Sequence, residues 1–238
     1  MIKEIRTRTA YEVADRYDEQ YFADLAERYR KRTRFARQRL RNVFSMMPPL
    51  AGTTVVDLGC GMGTFTIEAT RAGAHAVGID MVAAALVAAA RVAAAEGVPA
   101  HFVRGDAADL PFDEAVADVV IAADLTEHLD ERTLRRVLAE ARRVLRTGGQ
   151  LIVYTPERAH LFEQLRERDI LHDGDPSHIG LRTADELVAA VRAAGLVPQS
   201  VRFLPSHLPG WNVLERVLSR WVPLLRRRIG LVARVEAQ

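Results

Sequence analysis

Short runs of β-branched and apolar residues recur near 53–58, 75–80, 100–104, 117–122 and 149–155, and stretches with helical spacing of apolar positions lie between them, near 63–72, 82–96 and 131–146. Strands that alternate with helices in this way predict a doubly wound α/β fold, a parallel sheet covered on both faces. The helix near 82–96 holds nine alanines among the 13 residues from Ala83 to Ala95. Its helix propensity is high and its side chains are thin, so it can lie close to the sheet. After Pro156 the alternation pauses for about 25 residues, long for a structureless loop, which predicts an insertion that serves a site. Thr183-Ala184-Asp185-Glu186 then forms a capping box, and the helix that it opens closes at Ala194-Gly195. Gln199 to Leu204 and Ile229 to Val235 supply two last strands. Between them a helix is expected over Trp211 to Arg228, with Trp211, Leu214, Val217, Leu218, Trp221, Leu224 and Leu225 on one apolar face. Packing against the core, a substrate lid and contact with a membrane surface are the readings open for that face. Ahead of the alternation, residues 3 to 46 read as helices rich in aromatics, among them Tyr11, Tyr17, Tyr21, Phe22, Tyr29 and Phe35, and Pro48-Pro49 ends them.

The first strand, Thr54 to Leu58, runs directly into Gly59-Cys60-Gly61-Met62-Gly63. Three glycines at alternate positions remove side chains where backbone must approach a ligand, and Asp57, at the strand's carboxyl end, is placed to face the same crevice. The third glycine falls one position earlier than in the Gly-x-Gly-x-x-Gly of dinucleotide sites, which argues against a pyrophosphate cofactor. The second strand, His75 to Asp80, ends in an acid about 20 residues after the glycines, the spacing at which a carboxylate accepts from ribose hydroxyls.

Together these stretches resemble the motifs of the class I S-adenosylmethionine-dependent methyltransferases, in particular the small-molecule (type 11, ubiquinone-methyltransferase-like) group. Phe102-Val103-Arg104-Gly105-Asp106-Ala107 is similar to the family's adenine-binding segment, Asp118 to Leu129 to its fourth-strand motif, and Leu145 to Pro156 to its turn and fifth strand. The resemblance covers residues 53 to 156, with a looser match over Thr183 to Leu196. It implies a Rossmann-like seven-stranded sheet of order 3-2-1-4-5-7-6 with an antiparallel last strand. Residues 1–50 are expected as a helical lid segment and 51–238 as the cofactor-binding domain, with substrate-pocket insertions at 157–182 and 205–228. S-adenosyl-L-methionine is the implied cofactor, leaving as S-adenosyl-L-homocysteine. The resemblance gives Gly59, Cys60, Gly61 and Gly63 to the methionine moiety through their backbone, Asp57 to its ammonium directly or through water, and Asp80 to the ribose, with Met81 packing on adenine. Asp106 and the Ala107 amide would bind the adenine edge, and Ala123 and Asp124 would lie nearest the transferred methyl. Tyr17, in a Tyr17-Asp18 pair similar to one found early in many such enzymes, would close over the cofactor, and Tyr21 over the substrate. Core packing is an equal reading for both tyrosines.

Methyl transfer is an in-line displacement in which alignment and desolvation do much of the work, so a protein base is optional. Histidine is the best-tuned candidate near neutral pH. Two places offer one. Glu127-His128 follows the fourth strand, where the pair either supports the loop beside the cofactor or acts in catalysis. His172-Asp173-Gly174-Asp175-Pro176-Ser177-His178 lies in the post-strand insertion, with Asp175 able to orient His178 as a base or substrate anchor, or the histidine simply satisfied in its loop. Metal ligation by His172, Asp175 and His178 is not expected, because their spacing matches no recognised metal pattern.

The chain has 238 residues, enough for one α/β domain that buries roughly 70 to 75% of its unfolded surface. Its single cysteine, Cys60, excludes an internal disulfide. No basic-then-apolar leader precedes the first helix, so a cytoplasmic setting is expected. The longest apolar run, Met81 to Ala90, is half of the ~20 residues that a membrane span needs, so no transmembrane segment is expected and peripheral contact stays open. Arg28 to Arg41 holds eight basic residues and no acid, which reads either as a solvated face or as a phosphate-binding surface. The expected partner is a small-molecule acceptor methylated at oxygen or nitrogen, as in secondary-metabolite or quinone-type biosynthesis. Carbon methylation of an isoprenoid or phenolic acceptor, RNA methylation and cofactor binding without turnover are the alternatives. RNA chemistry is disfavoured because Ala123-Asp124-Leu125-Thr126 and Thr155-Pro156 stand where its motifs would be.

Overall fold

The computed structural model describes residues 19–167, 177–208 and 210–236. Tyr17, His172, Asp173 and Asp175 lie outside the described residues. Seven strands form one sheet in the order β3-β2-β1-β4-β5-β7-β6: β1 (Thr54–Leu58), β2 (His75–Asp80), β3 (His101–Arg104), β4 (Ala117–Ala123), β5 (Leu145–Pro156), β6 (Val197–Leu204) and β7 (Arg228–Arg234). The first five pair in parallel, and β7 runs antiparallel to both β5 and β6. This is the strand order and the antiparallel last strand that the sequence implied. The helices are α1 (Glu19–Arg30), α2 (Arg34–Phe44), α3 (Thr64–Arg71), α4 (Ala83–Ala95), α5 (Glu131–Val144), α6 (Leu161–Glu167), α7 (Ala184–Ala193) and α8 (Trp211–Leu218).

Alternation along the strands divides the core. Successive side chains of a strand point to opposite faces, so Val120 and Ala122 of β4 join Leu134, Leu138, Leu187 and Val191 from α5 and α7 on one face. Val119 and Ile121 join Val43 from α2 and Phe65 and Ala69 from α3 on the other. The alanine helix α4 buries Ala85, Ala89, Val92 and Ala93, and Tyr29 and Leu25 of α1 pack across it beside Val92. Because β1 connects outward to β2 while β4 lies on its other side, the strand order reverses at β1. Ligands of open α/β sheets sit at the carboxyl ends of strands at such a reversal.

The expected long helix over 211 to 228 is not formed. Helix α8 ends at Leu218, and Pro223, which cannot continue a helix, opens a short 3-10 turn over Pro223–Leu225. The core-packing reading of its apolar face is overturned too: Val213, Leu214, Val217, Trp221 and Leu224 are exposed, and Leu225 alone of the seven apolar positions expected on that face is buried. What α8 buries instead is Glu215, whose carboxylate accepts from the Ser206 amide at 2.5 Å and stands 3.6 Å from His160 Nε2. A buried carboxylate without such partners would cost several kcal/mol, and this anchorage holds the polar side of the helix inward. No helix among the described residues is long and apolar enough to cross a membrane.

Candidate active site

A cavity of about 320 Å³ opens at the carboxyl ends of β1, β2 and β4, lined by Gly59 to Met62, Asp80 to Val82, Gly105 to Ala107, Ala123 to Leu125 and Glu127 to Leu129, with Tyr21, Phe22, Arg28, Phe35, Arg39, His178 and Arg228 among its other lining residues. Its floor is the glycine turn. Gly59, Gly61 and Gly63 have φ of +61°, +53° and +80°, in the left-handed region where a Cβ is strained. A Cβ on Gly59 would stand 2.8 Å from Leu125 Cδ1, and one on Gly63 would stand 2.8 Å from the Phe102 ring and 3.1 Å from the Ala89 Cβ. Around Gly61 the nearest atom to such a Cβ is 3.8 Å away, so this glycine serves the turn and leaves its cavity side open for a ligand's approach. Gly78, which sequence reasoning passed over, is held small by the same turn, because its Cβ would meet Cys60 Sγ at 2.8 Å. The Cys60 thiol is pushed well up by burial and by the nearby charges of Asp57 and Asp80, as fits a structural cysteine.

The acids of the cofactor motifs separate into two groups. Asp80 and Asp106 lie on the cavity wall, next to Met81 and Ala107. Asp80 accepts from the amides of Gly61 and Val82, both at 2.9 Å, which ties the end of β2 to the glycine turn, while burial raises its pKa. Asp106 accepts from the Ala108 amide at 2.8 Å. Asp57 and Gly63 do not line the cavity. The Asp57 carboxylate sits behind the turn and accepts from Thr66 N at 3.1 Å and Thr66 Oγ1 at 2.7 Å, so it positions the first turn of α3. Burial pushes its pKa up to about 6 against the opposing pull of Thr66 and Arg39. A carboxyl with a raised folded pKa contributes stability in its protonated form, present below the unfolded value of about 3.9 and lost as pH rises through the folded value. Asp57→Asn should therefore match the wild type near pH 4 and exceed it in melting temperature above pH 6. A constant difference from pH 4 to pH 7 would show that Asp57 does not titrate as a buried acid.

Asp124 closes β4 in an unusual backbone state, with φ +53°, held by its amide donating to Tyr154 O at 2.7 Å. It lines the cavity, but its carboxylate is paired with Arg39 Nε from α2 and, at 2.6 Å, with Arg228 Nη1 from β7. Arg39 lies over the Phe65 ring at 4.5 Å and Arg228 over Tyr154 at 5.3 Å. Burial alone would raise the Asp124 pKa, and the two guanidiniums outweigh it and hold it below the usual range. Glu127 goes the other way, raised by burial and by the charge on Asp124.

The two histidine places that the sequence presents separately meet here. The end of the insertion docks on the turn after β4 through Arg182, which donates to Thr126 O at 2.9 Å and Leu129 O at 2.9 Å, and through the Gly180 amide, which donates to Glu127 O at 2.8 Å. Gly180 has no room for a side chain, since a Cβ would fall 2.0 Å from Leu129 O. This docking sets the His178 ring 5.0 Å from that of His128. His128 Nδ1 lies 3.1 Å from both the backbone oxygen and the Oγ of Ser177, and Thr155 Oγ1 donates to Glu127 Oε2 at 3.0 Å. Tyr21 lies at the cavity mouth, half exposed, with its ring edge-on to Phe22 at 5.3 Å. Arg39, Arg228, Ser177 and Gly180 escaped the sequence reading because nothing local marks an ion-pair partner or a docking glycine. Half of the basic cluster is ion-paired within the protein: Arg30 and Lys31 pair with Glu27 at the surface, Arg32 with Glu68 and Glu96, and Arg39 with Asp124 in the cavity wall.

The glycine cradle, an acid at the end of each of two neighbouring strands and the room in front of Gly61 fit an adenosyl group with an amino-acid tail. A family model described as a methyltransferase domain matches residues 55–149. Among curated relatives, the 27-O-demethylrifamycin SV methyltransferase of Amycolatopsis mediterranei is 32% identical over 175 residues, covering 70% of this chain and 62% of that protein. The ubiquinone biosynthesis O-methyltransferase of Ralstonia nicotianae is 30% identical over 164 residues, covering 66% of this chain and 68% of that one. The chain spans less than two thirds of the rifamycin relative, and 45% of the Hahella chejuensis ubiquinone biosynthesis O-methyltransferase, which is 34% identical over 110 residues. Among solved structures, an S-adenosylmethionine-dependent methyltransferase of Thermotoga maritima aligns with a TM-score of 0.67 at 18% identity, covering 95% of this chain and all of that one. The [4+2]-cyclase SpnF aligns with a TM-score of 0.65 at 21% identity, covering 85% and 82%. These structural likenesses establish the fold, which hosts more than one chemistry.

Proposed function

As this chain belongs to the class I S-adenosylmethionine-dependent methyltransferases, with S-adenosylmethionine as its cofactor, we propose that it transfers a methyl group to the oxygen or nitrogen of a small-molecule acceptor. The observation that carries this reading is one cavity with two different walls. On the β2 side stand Asp80, Met81, Asp106 and Ala107; on the β4 side, across the glycine turn, stand Asp124, Glu127, His128 and His178.

When bound, S-adenosylmethionine supplies the methyl group as an electrophilic sulfonium carbon. The backbone of Gly59, Cys60 and Gly61 would hold its amino-acid end, with Asp57 acting on that end through the turn that it supports. Asp80 would accept from the ribose hydroxyls, Met81 would pack on adenine, and Asp106 with the Ala107 amide would read its edge. Ala123 and Asp124 then close the floor beside the reacting carbon, where the Arg39 and Arg228 pairs fix the end of β4. On the acceptor side His178, with His128 and Glu127 behind it, orients the acceptor or takes its proton, and Tyr21 covers the mouth. In-line transfer depends on such alignment to within fractions of an ångström. Among the described residues, Tyr21, Phe22 and Arg39 from the helical lid segment would cover this arrangement, and His178 and Arg228, from the insertions at 157–182 and 205–228, would face the acceptor.

Support for a small hydroxylated acceptor comes from the relatives, named for methylation of 27-O-demethylrifamycin SV and for O-methylation in ubiquinone biosynthesis. Transfer of methyl-labelled cofactor to a panel of phenols, quinols and hydroxylated polyketides tests the reading. Label on oxygen or nitrogen is expected in at least one acceptor class. Label on ring carbon would favour the carbon-methylating alternative, and incorporation into RNA alone would overturn the small-molecule reading.

A further inference from the structure

We propose that this chain docks on an anionic lipid bilayer through α8 and the turn that follows it, with the mouth of the cavity held beside the membrane. The helix is built inside out. Glu215 and Ser219, four residues apart and therefore on one side, are 1% and 4% exposed, because the Ser206 amide and His160 take up the carboxylate. The apolar positions are left outward: Val213, Leu214, Val217, Trp221, Val222 and Leu224 are all exposed, Trp221 at 71%. Of the eleven exposed large apolar side chains among the described residues, seven lie between Leu208 and Leu224. Scattered singly, such side chains are ordinary; gathered in one stretch they mark a contact surface.

Charge decides what covers it. From 205 to 228 the chain has five arginines and one acid, Glu215, which is turned inward. Arg216 on α8 and Arg220 just after it are exposed, and neither side chain is ion-paired among the described residues. An apolar helix face flanked by arginines lies in the plane of a bilayer interface, its apolar side chains at the acyl boundary and its cations at the lipid phosphates. Tryptophan suits the headgroup level there. A second copy of the chain fits less well, since two-fold pairing of this face sets Arg216 and Arg220 against their own copies with no exposed acid to meet them. RNA would meet the arginines and leave the aliphatic side chains uncovered, and between Leu208 and Leu224 Trp221 is the one exposed ring on which a base could stack.

The segment 205–208, which leads toward α8, is fastened at the cavity mouth. Asn42 Nδ2 donates to Pro205 O at 3.4 Å, and the His207 ring stands edge-on to Phe35 at 5.3 Å. Phe35 and Tyr21 line the cavity and are themselves exposed. Helix α2, which carries Phe35, adds the exposed Arg34, Arg37 and Arg41, which form no ion pair among the described residues. Apolar and positive surface thus runs from α8 to the cavity, so an acceptor dissolved in the bilayer would reach the cavity without crossing bulk water. That consequence rests on the assignment of the β4 side of the cavity to the acceptor; the docking does not.

The test is flotation of the full chain with vesicles of phosphatidylcholine alone and of phosphatidylcholine mixed with phosphatidylglycerol. Binding to the mixed vesicles, weakened by added salt, is expected, with little binding to phosphatidylcholine alone. Trp221→Glu should abolish it, and Arg216→Gln combined with Arg220→Gln should lower affinity roughly 10- to 30-fold, the share of two arginines near an anionic surface. All three positions are exposed and none lines the cavity, so circular dichroism and S-adenosylhomocysteine binding should match the wild type. Wild-type protein that stays unbound or floats equally with both vesicles, or a folded Trp221→Glu protein that binds as the wild type does, would overturn the docking. So would a protein that does not float but forms a dimer that Trp221→Glu splits, or binds RNA through Arg216 and Arg220. Vesicle binding without S-adenosylhomocysteine binding would leave the docking in place and remove the cofactor assignment.

Discussion

Asp124→Asn should destabilise the folded protein by about 3 to 5 kcal/mol, because it removes the anion shared by two largely buried guanidiniums, taking the ion-pair partner from Arg39 and leaving Arg228 with Glu127 at 3.8 Å. Arg39 comes from α2, Asp124 from the end of β4 and Arg228 from β7, so the loss would be felt across three elements at once. The side chains are 24%, 22% and 15% exposed, too little for solvent to replace the lost charge as it would at the surface. Urea unfolding gives the magnitude, and pH gives the sign. The Asp124 pKa is lowered by the two arginines, so its stabilisation is present above the unfolded value of about 3.9 and is lost as pH falls through the folded one. The gap between wild type and variant should hold from pH 7 to about pH 5 and narrow in stronger acid. A loss under about 1 kcal/mol at pH 7 would place this triad among surface pairs, where such values are typical.

His178→Ala should lower turnover by about 10² to 10⁴ if the histidine handles the acceptor's proton, the range for general acid–base groups. An anchor that binds ground state and transition state alike would instead raise KM and leave kcat nearly unchanged. Affinity for S-adenosylhomocysteine should be unaffected in either case, since Asp80 and Asp106 stand at the ends of other strands. Unchanged kcat and KM with the true acceptor would leave His178 a loop residue and nothing more.

The β2 side of the cavity, which we assign to the cofactor, was legible in sequence because its signals are local. A β-branched strand, three glycines that must adopt left-handed φ and an acid at the end of the next strand all fall between Thr54 and Asp80, and the fold places Asp80 beside Gly61 at 2.9 Å. Even there Asp57 is nearer to α3 than to the cavity, because a carboxylate at a strand end can turn toward the following helix as readily as toward the crevice. The β4 side, which we assign to the acceptor, was harder to read. Arg39, Asp124 and Arg228 come together from the second helix, the fourth strand and the last strand, and no periodicity links them. Helix α8 misled for a related reason: apolar spacing marks one face, but the buried side is decided by where Glu215 finds Ser206, which is a tertiary fact.

Isothermal titration of S-adenosylhomocysteine into wild-type protein and into Asp80→Ala bears most directly on the central assignment. One equivalent should bind to the wild type, and the variant should bind more weakly by roughly 1.5 to 3 kcal/mol, the value of charge-assisted hydrogen bonds. No binding to the wild type at millimolar ligand, or equal affinity in a folded Asp80→Ala protein, would contradict the placing of the cofactor in this cavity.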